Sequence, residues 1–172
     1  MNAKEEYLKY YNQTHCSYET SMLLRGIGFD GECENMYGLG IFHNGEYLDF
    51  DEECELESEG RGNEIERVPG GWIYSHMYTR NSDEWCQAEG SCTMPSYEQA
   101  LDYMRKKHGV HIFAMRHCGT WRWCMQDLYV ENGSEFQQGN IGYETYGEAL
   151  DAGIAEVIKG LKNNESECNT DK

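Results

Sequence analysis

The chain has 172 residues, 39% of them hydrophobic, and a formal charge of −17; that length fits one domain burying roughly two thirds of its unfolded surface. Thirteen Tyr, five Phe and four Trp supply large buried areas, so a core forms without covalent staples. An acidic surface repels phosphate backbones, which disfavours direct nucleic-acid binding, and no window approaches the eighteen apolar residues of a membrane span.

Met1 to Leu8 contain no apolar run and no small-residue cleavage site, so the protein is expected to remain in the cytoplasm, with no membrane partner. A first helix is predicted over 3–11, with Asn2 as N-cap and Tyr7, Leu8 and Tyr11 on one face. A second covers 18–27: Ser17 caps it, Met22, Leu23 and Ile27 share a side, and Gly28 stands where a left-handed residue is wanted. From Tyr37 to Phe50 the chain alternates loosely around His43-Asn44-Gly45-Glu46, a short hairpin signal. Residues 51–71 are acidic and poor in large apolar side chains, which predicts a long irregular segment. Trp72 to Tyr78 reads as a strand, and 79–95 as a second irregular stretch ending at Pro95.

The last third is clearer. Ser96-Tyr97-Glu98-Gln99 is a capping box, and Tyr97, Ala100, Leu101 and Met104 follow at helical spacing. Arg105, Lys106, Lys107 and His108 complement the negative helix end, and Gly109 stops it. Val110 to His117 and Trp121 to Val130 form two strands. A two-residue turn groups Ile112, Ala114, Trp121, Trp123 and Met125 on one face. A three-residue turn groups Phe113, Met115, Trp121, Trp123 and Met125 instead, and the sequence leaves both registers open. A third strand is expected near 135–144. A second capping box, Thr145-Tyr146-Gly147-Glu148, opens a helix with Leu150, Ile154, Val157, Ile158 and Leu161 on its stripe. The expected fold class is α+β: an antiparallel sheet centred on the 110–130 hairpin, packed against helices, with a C-terminal α-β-β-β-α unit. Residues 1–162 form one domain, the acidic segment 46–71 lies inside it, and 163–172 are a flexible tail.

Eight cysteines without an export signal and without C-x-x-C are expected to stay reduced, and Cys86/Cys92 and Cys118/Cys124 do not have zinc-knuckle spacing. His117-Cys118 are neighbours in a hairpin and point apart, which argues against a shared proton. His108 and His111 lack a third metal ligand, and Trp121 and Trp123 read as core aromatics before they read as base-stacking ones. No phosphate-cradling glycine loop occurs. No catalytic residue, metal or cofactor is therefore expected.

Charge is unevenly spread. Ten carboxylates lie between Glu46 and Glu66, offset by Arg61 and, just beyond, Arg67, which leaves −8 over 46–67. Over Ser96 to Val130 five Lys and Arg outnumber three carboxylates. Asp49, Asp51, Glu52, Glu53, Glu55, Glu57 and Glu59 are the candidate contacts for a basic partner.

Three stretches carry a resemblance: Pro95-Ser-Tyr-Glu-Gln-Ala-Leu running to Lys107-His108-Gly109-Val110-His111-Ile112, the tryptophan-bearing strand, and Tyr143-Glu-Thr-Tyr-Gly-Glu-Ala-Leu-Asp-Ala-Gly. With Thr20 to Cys33 upstream, they resemble a family of small proteins from gut Bacteroides and their phages. The likeness touches about two thirds of the chain, leaves 46–94 unmatched, and implies a genomic context without a mechanism. The order α-β-β-β-α is also similar to the double-stranded-RNA-binding fold and to HicB-type antitoxins. The start of the last helix, Gly147-Glu148-Ala149-Leu150-Asp151, is however acidic where an RNA binder is basic. The expected function is a non-catalytic protein-binding accessory factor of phage or mobile-element type. It would act on a basic host protein, including one that itself binds nucleic acid. The alternatives are an acidic DNA mimic of the antirestriction kind and an unrecognised hydrolase.

Overall fold

The computed structural model describes residues 13–38, 40–43, 46–49, 65–68, 71–75, 78–87, 89–129 and 137–168. The helix expected over 3–11 lies outside them. Helix α1 spans Tyr18–Gly26; the Ser17 hydroxyl accepts from the Thr20 amide at 3.3 Å, and Gly28 leaves the helix at φ +86°. Its inner side buries Leu24 with Thr20 and Ser21.

The stretch expected to form one hairpin contributes to two sheets. Strand β1 (Asn35–Gly38) joins a four-stranded sheet, whereas β2 (Gly40–His43) pairs with β3 (Glu46–Asp49). His43 stands opposite Glu46, so the two residues between them are the predicted Asn44-Gly45. The partners of β1 are far along the chain, and no local turn signal announces them. β4 (Ile65–Val68) pairs with β5 (Gly71–Tyr74), and Tyr74 lies opposite both Ile65 and Met36. A strand therefore occurs inside the segment expected to be irregular; it is short, half-charged and at a sheet edge, which hides it from apolar patterning. The second irregular stretch likewise contains a 3-10 turn, Glu84–Cys86, and strand β6 (Cys92–Met94). The sheet order is β4-β5-β1-β6.

Helix α2 (Tyr97–His108) has both arms of its capping box, Gln99 N to Ser96 Oγ at 3.2 Å and Ser96 N to Gln99 Oε1 at 2.9 Å, and stops at Gly109 with φ +66°. Strands β7 (Val110–His117) and β8 (Thr120–Asp127) form an eight-residue ladder closed by Cys118-Gly119, both at positive φ. That two-residue turn selects the register with Ile112, Ala114, Trp121, Trp123 and Met125 on one face. The third strand is β9 (Gln137–Gln138), continued by a bridge from Trp121 to Tyr143. Helix α3 (Tyr146–Cys168) begins on the second capping box, with Glu148 N to Thr145 Oγ1 at 3.2 Å and Thr145 N to Glu148 Oε2 at 3.1 Å. It continues past Leu161 through Cys168, into the stretch expected to be a flexible tail.

The fold is α+β, with α2 and α3 packed on the inner face of the hairpin sheet. Their core joins Met104, Ala100, Val110, Ile112, Leu150, Ile154 and Ile158 with Leu24 of α1. α1 also touches β6, linking this core to a smaller cluster of Tyr37, Ile73, Cys92 and Met94. No helix among the described residues is long and apolar enough to cross a membrane.

Candidate functional site

The seven candidate contact residues begin where β3 ends. Asp49 is the last residue of β3, paired with Gly40. Asp51, Glu52, Glu53, Glu55, Glu57 and Glu59 lie outside the described residues.

Four of the described thiols are committed to structure. Cys16, Cys33, Cys86 and Cys92 are free thiols with no exposed surface. Burial, the largest cause in each, pushes Cys33 and Cys86 up to about 11 and raises Cys16 and Cys92 well above the ordinary thiol range. Such thiols hold little thiolate and are poor nucleophiles. Among the described thiols Cys118 is the exposed one, held at φ +47° in the hairpin turn beside His117. His108 sits at the end of α2 with its ring edge-on to Tyr103, and His111 stacks on Phe113. Trp121 packs edge-on against Tyr146, and Trp123 lies against Gly153 of α3. Among the described residues no three His, Cys, Asp or Glu side chains converge so as to hold a metal ion.

One half-buried carboxylate was missed in the sequence. Asp151, on α3, accepts from the Ser17 amide at 2.8 Å and the Ser17 hydroxyl at 2.7 Å, so it completes the cap of α1 from a distant helix. Burial raises its pKa, and the two bonds from Ser17 oppose the rise. The signal was present: Asp151 falls between Leu150 and Ile154, a lone acid on the apolar stripe.

An open cleft of about 790 Å³ lies between α2 and the start of α3. Tyr97, Leu101 and Leu150 supply its apolar lining, Glu98, Asp102 and Arg105 its charged lining, and Tyr146 stands at the junction with Trp121. Asp102 is bonded to Lys106 at 2.7 Å. Among the described residues no histidine or cysteine lines the cleft, whose lining is mixed apolar and polar.

No family model matches the chain, and no curated protein or solved structure does either.

Proposed function

We propose that this chain is a non-catalytic, cytoplasmic protein-binding factor of phage or mobile-element type, and that its acidic segment docks a basic partner protein. The carrying observation is charge density: ten carboxylates between Glu46 and Glu66, in a chain of net charge −17. A domain of this size needs a net charge of only about 2–8 in magnitude for solubility. A cationic partner relieves the self-repulsion and is steered to the segment by the field. The described thiols Cys33 and Cys86 are buried and raised in pKa, and Asp151 is engaged at the cap of α1.

The partner class is a host protein with a basic groove. The same charge supports a second reading, in which the groove is one that grips nucleic acid and the segment imitates a phosphate backbone. Replacing Asp49, Asp51, Glu52, Glu53, Glu55, Glu57 and Glu59 by Asn or Gln tests the proposal. Proteins captured from host lysate by the parent at low salt are expected to be lost with the variant and at high salt. An unchanged captured set, with the fold intact by circular dichroism, overturns it.

A further inference from the structure

We draw no further inference here: the strongest candidate, the open cleft between α2 and the start of α3, is lined by Tyr97, Leu101 and Leu150 beside Glu98, Asp102 and Arg105, and nothing in the structure shows what covers it.

Discussion

The two larger sheets handle their edges and polar groups in opposite ways. In the four-stranded sheet, β1 is buried along its whole length, and the β6 side is occupied. Asn81 Oδ1 accepts from the Thr93 amide at 2.9 Å, and His15 bridges Ser96. Asn81 in turn donates to the Phe29 carbonyl at 2.8 Å, so a connecting segment seals the edge. In the hairpin sheet the inner face is packed as tightly, but β7 grows more exposed toward its tip, and no described residue bonds its outer backbone groups. One sheet is an interior support; the other combines a packed face with an accessible edge. The difference shows that burial of a sheet face and closure of its edge are separate achievements, made by different residues.

Substitutions along α3 sharpen the contrast between the packed face and the open side. A Cβ on Gly153 would stand 2.7 Å from the Cβ of Trp123, where neither side chain nor helix can easily give way. Gly153→Ala should lower stability by about 1–3 kcal/mol in denaturant titration. At Gly160 no atom lies within 4 Å of the added carbon, so Gly160→Ala should raise stability by about 1 kcal/mol. Equal effects at the two glycines would contradict the packing described.

Asp151 joins the two halves, and its removal is the next test. Asp151→Ala leaves the Ser17 amide and hydroxyl without their acceptor and should cost about 1–3 kcal/mol. The pH dependence has a definite sign. The folded pKa is raised above the unfolded value, so the folded chain binds the proton more tightly. The stability linked to that proton is fully present below the unfolded pKa and is lost as pH rises through the folded one. Measured as wild type minus Asp151→Asn, stability should fall with rising pH across that window. A difference that instead grows with pH would mean that the bonds from Ser17 outweigh burial.

The smallest effect is expected at the hairpin tip. Cys118 holds φ +47° in a turn that favours Asn-Gly, so Cys118→Asn should add roughly 0.5–1 kcal/mol. An unchanged melting temperature would argue against strain at that residue.

Where local chemistry decided the structure, the sequence was readable. Ser96 with Gln99 and Thr145 with Glu148 mark their helix starts because a cap is completed within four residues. Gly109 marks an end because only a left-handed residue follows there. The register of β7 and β8 was not readable, since cysteine is an uncommon residue at positive φ and both turns satisfied the apolar pattern. β1 and β6 escaped for a different reason: their pairing joins residues such as Met36 and Thr93 that no local period relates. The Pro69-Gly70 dipeptide between Val68 and Gly71 is a turn signal that the reading of 51–71 as irregular passed over. Of the candidate contacts, Asp49 falls in a described strand, and the other six lie outside the described residues.

The most direct test of the binding proposal is the association rate between this chain and its captured partner, measured against ionic strength. The wild-type rate should be high at low salt and fall steeply as salt screens the acidic segment. The variant with all seven carboxylates neutralised should associate slowly, with a much flatter dependence. Equal rates and equal slopes for the two proteins would contradict the account.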